Sequence, residues 1–301
     1  MNENMILRDL SSPFIITMKS AFQDRENLYL VMPSLRGGDL RYHIIKHRTF
    51  SEKTVKFFIA CVILALKHVH SKGIIHRDVK PENLVLDEYG YLHLTDFGIA
   101  KPWRPENHQD TSGTPSYMAP EVLCRRNHSY SVDFYALGVI MYECIIGKRP
   151  YLGKSRREIK EQVLAKQAAI RPSDVYTKWS FEAIVFCNKL IQRKRTKRLG
   201  ENSVSELMNH PWLADFDWRA LERKAIRSPF MPTNGDNYDK KNVNKIDDFF
   251  EVKDLELLKK NSIQYLFNGY EYDEQVFKET GDGKIKKEGE NYLSYEKSTG
   301  I

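Results

Sequence analysis

Four polar side chains of complementary chemistry lie in one short stretch, HRDVKPENLVLDEYGYLHLTDFG, residues 76–98. They are Asp78, Lys80, Asn83 and Asp96. Carboxylate and amide oxygens in small number suit a Mg²⁺ ion that keeps waters and phosphate oxygens as its other ligands. Lysine suits a transferring phosphate as a point charge, and the remaining aspartate suits a proton acceptor. Each residue alone is more often a loop cap or a surface charge, so the indication comes from their joint order.

A small β-hairpin would bring the two ends of this stretch together. The runs LVLD and YLHL, separated by EYG, predict its strands. The two ends of a hairpin stem lie side by side, so Asp96 can approach Asn83. Upstream, apolar residues at steps of three and four predict a long helix over 51–72, with Ser51 as its N-cap and Gly73 after its end.

Elsewhere the pattern predicts a strand-rich beginning, a helical middle and a polar tail. Residues 1–10 indicate the end of an amphipathic helix, and residues 14–33 a hairpin. The run 132–146 is apolar nearly all round, which is typical of a helix at the centre of a domain. Beyond residue 213, Asn, Asp, Lys and Pro replace the periodic apolar residues, which predicts an extended or disordered tail. Shorter helices are expected from Asp39 and at 155–168, 180–192 and 203–209.

Composition indicates an ordinary globular chain. Its 301 residues are 41% hydrophobic and 29% charged, and the net charge is +7. This charge is too small and too spread out to predict a nucleic-acid partner. The four cysteines form no CxxC pair, and no run of about 18 uncharged apolar residues predicts a membrane span. We therefore expect reduced thiols and, by default, a cytoplasmic location, with the nucleus as an alternative.

The motif order resembles that of eukaryotic protein kinases. HRDVKPEN is similar to their catalytic loop, DFG to their metal-binding motif, and APE at 119–121 to the end of their activation segment. The resemblance implies an α+β, protein kinase-like fold. It comprises a truncated β-rich small lobe at 1–35, a mainly α-helical large lobe at 36–213, and an extended C-terminal tail, partly disordered, at 214–301.

Catalytic roles follow from this resemblance, motif by motif. Asp78 would orient the acceptor hydroxyl and accept its proton, Lys80 would steady the γ-phosphate, and Thr114 would contact both residues. Asn83 and Asp96 would hold Mg²⁺. KPEN and GTPSYMAPE match the serine/threonine kinases, so the resemblance implies that ATP is used to phosphorylate protein Ser or Thr hydroxyls. It also implies that Asp133 braces the catalytic loop and that Arg198 pairs with Glu121.

The resemblance narrows to the AGC group, and within it to YANK-type kinases. This narrower resemblance rests on the segments GGDLRYH, YMAPE and SPFMP. IDDFF at 246–250 is similar to a tail segment that touches the nucleotide, with a solvated acidic patch as the alternative. FNGYEY at 267–272 is similar to the hydrophobic motif that ends such tails.

Nucleotide and substrate contacts are implied by the same resemblance. Met32, Ser34 and Leu35 would meet adenine at the hinge between the lobes, with Val85 below the ring. In basophilic relatives, carboxylates receive arginines upstream of the acceptor, because a carboxylate binds a guanidinium bidentately. The corresponding residues here are Asp39, Glu82 and Glu143, with helix capping and structural ion pairing as the alternatives.

The beginning of the chain departs from the family. Neither the glycine-rich loop over the phosphates nor the lysine that pairs with a helix glutamate can be placed, although Glu3 stands where that glutamate belongs. We expect an ATP-dependent kinase whose first strands are missing from this chain. The alternative is a truncated, non-catalytic binding module.

The activation segment departs as well. Relatives often carry a phosphorylated threonine at the position of Asp110, whose carboxylate could pair with Arg77 in place of phosphate. Thr111 is an alternative phosphorylation site, and a solvated loop aspartate is the plain alternative for Asp110. Phe97 of DFG would set active and inactive states by its packing.

Overall fold

The computed structural model describes residues 2–24, 27–175, 179–233 and 269–275. These residues form two compact units. The first contains residues up to 17 and the described residues from 33 to 233. The second contains the described residues of 18–32 together with 269–275.

The first unit is mainly helical, and its strands are short. Its helices are α1 Asn2–Asp9, α2 Leu40–His47, α3 Glu52–Ser71, α4 Pro120–Leu123, α5 Ser131–Ile146, α6 Arg156–Ala165, α7 Phe181–Leu190, α8 Ser205–Met208 and α9 Trp218–Glu222. Its strands are β3 Ile74–Ile75, β4 Leu84–Leu86, β5 Leu92–Leu94 and β6 Lys101–Pro102. Single 3₁₀ turns occur at Pro81–Asn83, Pro172–Asp174, Arg195–Lys197 and Pro211–Leu213.

The core of this unit is built around α3, α5 and α7. Fourteen of the sixteen residues of α5 are buried, as its all-round apolar pattern predicts. Gly147 ends α5 in the left-handed conformation, which glycine adopts without strain. Gly138 allows α5 and α7 to approach closely, since a Cβ atom there would lie 2.6 Å from the Cβ atom of Leu190.

Strands β4 and β5 form the antiparallel hairpin that the sequence predicts, with Leu84 opposite Leu94 and Leu86 opposite Leu92. All four of these leucines are buried. The turn is held by Asp87, whose Oδ1 accepts hydrogen bonds from the backbone of Tyr89 at 3.0 Å and of Tyr91 at 2.9 Å. The hairpin is therefore anchored from within the core and at its turn.

The second unit contains an antiparallel sheet of β1 Ser20–Gln23, β2 Leu28–Val31 and β7 Tyr272–Asp273, in the order β2-β1-β7. Ser20 lies opposite Val31 on one side and opposite Asp273 on the other. The predicted hairpin is thus confirmed, and β7 adds a strand that composition did not predict.

The predicted helices are confirmed, including the N-caps Asp39 and Ser51, with ends that shift by a few residues. The chain beyond residue 213 differs from its prediction in part. Helix α9 lies there with Leu221 fully buried, and Ser228 is also buried. A few well-placed apolar residues are enough to hold this short segment, although it lacks a helical period. Residues 246–250, and residues 267 and 268 of the segment 267–272, lie outside the described residues.

Helix α3 is the one described helix that is long and apolar enough to cross a membrane, but 72% of the relevant window is buried inside the protein. A core helix passes the same test. The four cysteines are free, and Cys61, Cys144 and Cys187 are buried.

Candidate active site

Four residues predicted for catalysis and metal binding lie in one hydrogen-bonded cluster. Lys80 Nζ is 2.6 Å from Asp78 Oδ2 and 3.2 Å from Thr114 Oγ1. The Thr114 hydroxyl donates to Asp78 Oδ1 at 2.8 Å, and its backbone N–H donates to the same oxygen at 3.0 Å. Asn83 Nδ2 donates to the carbonyl oxygen of Asp78 at 3.0 Å. The cluster joins the catalytic loop to the activation segment.

Asp78 is held as a carboxylate. Burial raises its pKa, but hydrogen bonds from Lys80 and Thr114 outweigh that effect and leave the pKa below its ordinary value. Both oxygens of Asp78 accept bonds, so its orientation is fixed before any substrate arrives. A carboxylate in this state can position a hydroxyl group and take up its proton.

Asp133 braces the loop from the centre of the domain. Its Oδ2 accepts from the backbone of His76 and its Oδ1 from the backbone of Arg77, both at 2.9 Å. His70 Nε2 is a third partner, at 2.8 Å. Arg77 has a φ of 69°, a left-handed conformation that is costly for a residue with a Cβ atom. The brace predicted for Asp133 is therefore confirmed, and it stabilises a strained turn just before Asp78.

The hairpin links Asn83 to the DFG segment. The backbone N–H of Thr95, next to Asp96, donates to the carbonyl oxygen of Asn83 at 2.9 Å. The carbonyl oxygen of Thr95 accepts from His76 Nε2 at 3.1 Å. Asp96 has a φ of 61°, and its Oδ1 accepts from Gly98 N at 3.2 Å.

The donor set fits Mg²⁺. The amide nitrogen of Asn83 is committed to Asp78, which leaves its oxygen as the ligand atom, and the Asp96 side chain is exposed. Two hard oxygen donors of this kind leave the other positions of an octahedral ion to water and phosphate.

Glu3 of α1 lies beside the DFG segment. Its Oε1 accepts from the backbone N–H of Phe97 at 3.2 Å. Burial, followed by the nearby charge of Asp96, raises the pKa of Glu3. Phe97 is fully buried, and its ring packs edge-on against His76 with ring centroids 4.9 Å apart. Phe97 is thus packed in the core, and its predicted role in setting active and inactive states stays a prediction.

Asp110 lies among three basic side chains. Its Oδ1 is 2.5 Å from Lys101 Nζ and 3.7 Å from Arg77 Nη1, and its Oδ2 is 3.3 Å from Arg104 Nη2. Burial raises its pKa, but the hydrogen bonds from Lys101 and Arg104 prevail and lower it. The pairing with Arg77 therefore occurs, although the shorter contacts are with lysine and with Arg104.

Thr111, the alternative phosphorylation site, is half-buried beside Asp110. Its carbonyl oxygen accepts from Arg156 Nη2 at 2.9 Å.

Arg198 and Glu121 form the predicted pair. The guanidinium reaches both carboxylate oxygens, at 2.6 Å and 2.9 Å, and Arg198 is fully buried. Arg198 also donates to the carbonyl oxygen of Gln192 at 3.1 Å. This bidentate pair fixes the end of the activation segment to the large lobe.

The three acidic residues implied for substrate contacts have partners within the chain. Asp39 caps α2, since its Oδ1 accepts from Tyr42 N at 2.7 Å. Glu82 and Glu143 both bind the guanidinium of Arg41, at 2.9 Å and 2.8 Å. The structural alternatives stated for Asp39 and Glu143 are therefore observed.

The structure places the residues predicted to meet adenine as follows. Ser34 is exposed and Leu35 is half-buried. Val85 is half-buried in β4 and forms an isolated β-bridge with Asp39. Met32, which is 38% exposed, belongs to the second unit.

Sequence reasoning missed the basic partners of this site. Arg41 is 41 residues from Glu82 and 102 from Glu143, so no local pattern reveals the contact. Lys101 is brought to Asp110 by β6, a two-residue strand. The sequence indicated only that several carboxylates lie near the motifs and that each would need a basic partner if it were buried.

Comparison with known proteins gives a consistent assignment. A family model for the protein kinase domain matches residues 1–213. A probable serine/threonine-protein kinase of Dictyostelium discoideum is 41% identical over 233 residues, which are 77% of this chain and 50% of that protein. Ribosomal protein S6 kinase alpha-6 of Homo sapiens is 40% identical over 235 residues, 77% of this chain and 31% of that protein. Ribosomal protein S6 kinase alpha-2 of Homo sapiens is 41% identical over 237 residues, 77% and 32% respectively.

The chain thus spans half the length, or less, of these relatives. They support the resemblance to eukaryotic serine/threonine kinases of AGC type. The YANK-type resemblance stays a prediction. Given the matching family model and the assembled catalytic cluster, the chain belongs to the protein kinase domain family.

Proposed function

We propose that this chain transfers the γ-phosphate of ATP to Ser or Thr hydroxyls of protein substrates in the presence of Mg²⁺. The observation that carries the proposal is the cluster of Asp78, Lys80, Asn83 and Thr114. Every member has the chemical type that phosphoryl transfer requires, and the cluster is already hydrogen-bonded.

In the proposed reaction, Asp78 accepts a hydrogen bond from the acceptor hydroxyl and takes its proton as that oxygen forms a bond to the γ-phosphorus of ATP. The bond from the γ-phosphorus to the β–γ bridging oxygen breaks, and ADP leaves. Lys80 Nζ donates a hydrogen bond to Asp78 Oδ2. Its positive charge would stabilise the phosphate group during transfer. Thr114 holds Asp78 through two bonds and so keeps its rotamer fixed. Precise placement of the hydroxyl is the main contribution of this loop.

Asn83 and Asp96 would hold Mg²⁺, which supplies neutralisation of phosphate charge when it is bound. Ser34, Leu35 and Val85 are proposed to meet the adenine ring, with Met32 preceding them in the chain. Glu3 is proposed to support nucleotide binding from α1, where it already contacts the DFG backbone.

The four free cysteines support the proposal of a reducing compartment such as the cytoplasm, since three of them are buried as thiols.

Radiolabelled phosphate transfer to a protein acceptor tests the proposal. We expect Asp78→Asn to lower kcat about 100-fold or more, because it removes the proton acceptor. Asp96→Ala should abolish Mg²⁺-dependent nucleotide binding. The matched control is Asp215→Asn, an exposed aspartate whose contact is Lys56, and it should retain the wild-type rate.

Thermal melting must accompany these rates. Equal labelling by wild type and Asp96→Ala would show that the transfer does not come from this site. Loss of cooperative melting in Asp78→Asn would show that Asp78 is needed for folding rather than for catalysis.

A further inference from the structure

Arg41 lies in the first turn of α2 and binds both carboxylates that flank the catalytic cluster. Its Nε donates to Glu82 Oε1 at 2.9 Å. Its Nη1 and Nη2 reach the two oxygens of Glu143 at 2.8 Å and 3.2 Å. Its Nη2 also contacts the hydroxyl of Tyr117. One guanidinium thus joins α2, the catalytic loop, α5 and the activation segment.

Both carboxylate oxygens of Glu143 accept hydrogen bonds from within the chain. Oε1 accepts from Arg41, and Oε2 accepts from Arg41 and from the Tyr117 hydroxyl at 2.8 Å. The Glu143 side chain is 7% exposed and that of Arg41 is 20% exposed. A second guanidinium could reach Glu143 only by displacing Arg41.

The charge of Arg41 is permanent. Burial lowers its pKa, but the hydrogen bonds to Glu143 and the surrounding carboxylates outweigh burial and raise the pKa above its ordinary value. Glu82 and Glu143 therefore always face a cation that belongs to the same chain. A substrate arginine would add a second positive charge at this place, which costs free energy.

Glu82 and Glu143 both lie next to elements that carry the catalytic cluster. Glu82 is located in the catalytic loop between Lys80 and Asn83. Tyr117 follows Thr114 by three residues in the activation segment, and the backbone N–H of Tyr117 donates to the carbonyl oxygen of Thr114 at 3.0 Å. Peptide residues next to an acceptor hydroxyl at Asp78 would lie against these elements.

We propose that Arg41 determines substrate specificity by occupying, from within the chain, the Glu143 carboxylate, which would otherwise select an arginine upstream of the acceptor. The inference rests on the proposed function. Its consequence is that the protein phosphorylates Ser and Thr without selecting upstream arginine through Glu143. Removing Arg41 would release a buried carboxylate and create that selection.

The test uses the full chain and peptide pairs that differ only in arginine or citrulline at single positions upstream of a serine. Citrulline keeps the shape and removes the charge. Affinity is measured by fluorescence anisotropy and kcat/KM by phosphate transfer. Wild type should treat the two peptides alike within about twofold. Arg41→Ala should prefer arginine by about tenfold or more at one position, the lower range for a charge-assisted bidentate contact.

Two further variants define the cause. Arg41→Lys keeps a positive charge without the planar fork and should show little or no preference. Arg41→Ala combined with Glu143→Gln should lose the preference gained by Arg41→Ala, since the released carboxylate is gone. Thermal melts identify any variant that fails to fold.

The wild-type measurement stands without any variant. A wild-type preference for arginine above about twofold at any position upstream of the acceptor would overturn the inference, as would unchanged selectivity in a folded Arg41→Ala protein. If no phosphate transfer is detected, but Arg41→Ala still gains a preference for binding the arginine peptide, only the proposed function is contradicted.

Discussion

Asp87 lies at the turn of the β4–β5 hairpin, which connects Asn83 to Asp96. Substituting it tests what stabilises that hairpin. Its Oδ1 binds the turn backbone, and its Oδ2 lies 3.0 Å from both His93 Nε2 and Lys224 Nζ. The residue is 9% exposed. Burial raises its pKa, but the bonds from His93, Tyr91 N and Lys224 prevail and lower it from 3.8 to about 2.

The size of the effect follows from this shift. A decrease of nearly two pH units in the folded state corresponds to about 2.5 kcal/mol of stability. Because the folded pKa lies below the unfolded one, this stability is fully present above about pH 4 and is lost as the pH falls through about 2. Asp87→Asn keeps an oxygen for the backbone bonds and removes the charge, so we expect a loss of about 2–3 kcal/mol at pH 7.

Urea denaturation of wild type and Asp87→Asn between about pH 7 and pH 2 measures the effect. The difference in free energy of unfolding should be constant from pH 7 to about pH 5 and should shrink below pH 4. Asp215→Asn is the matched control, because its side chain is 80% exposed beside Lys56, and it should change stability by less than about 1 kcal/mol. A difference for Asp87→Asn that does not change with pH would refute the electrostatic explanation.

Three other substitutions test separate parts of the structure. Arg198→Met should lower the free energy of unfolding in urea by about 3–5 kcal/mol, because it leaves Glu121 buried without its partner. Adding Glu121→Gln should recover part of that loss, and stability losses that simply add in the double variant would contradict the pairing. Gly138→Ala should lower stability by about 1–3 kcal/mol, since the new Cβ atom would meet Leu190; an unchanged melting temperature would show that α5 and α7 can separate at no cost. Asp110→Ala should lower kcat without changing global melting, because it leaves the neighbouring basic side chains without a counter-charge, and an unchanged kcat would show that the ion cluster does not support the activation segment.

Much of the local structure could be predicted because its causes are local. The apolar period of α3 and the all-round apolar run of α5 determine their burial, and short-range capping bonds fix where helices begin. The β4–β5 hairpin follows from two apolar runs around a turn. The short packed segment after residue 213 was missed, because single apolar contacts such as Leu221 carry no period.

The sequence by itself determined the chemical types at the site and the order in which they occur. Asp78, Lys80, Asn83 and Asp96 could be assigned separate roles from their side-chain chemistry and from the resemblance of their motifs to those of protein kinases. Only the tertiary structure decided which charges meet. Glu143 and Arg41 come together across 102 residues, because the packing of α2 against the catalytic loop and α5, and not any local pattern, sets that distance. Ion pairs between distant elements depend on the whole fold, so the partners of Arg41 could be identified only from the tertiary structure.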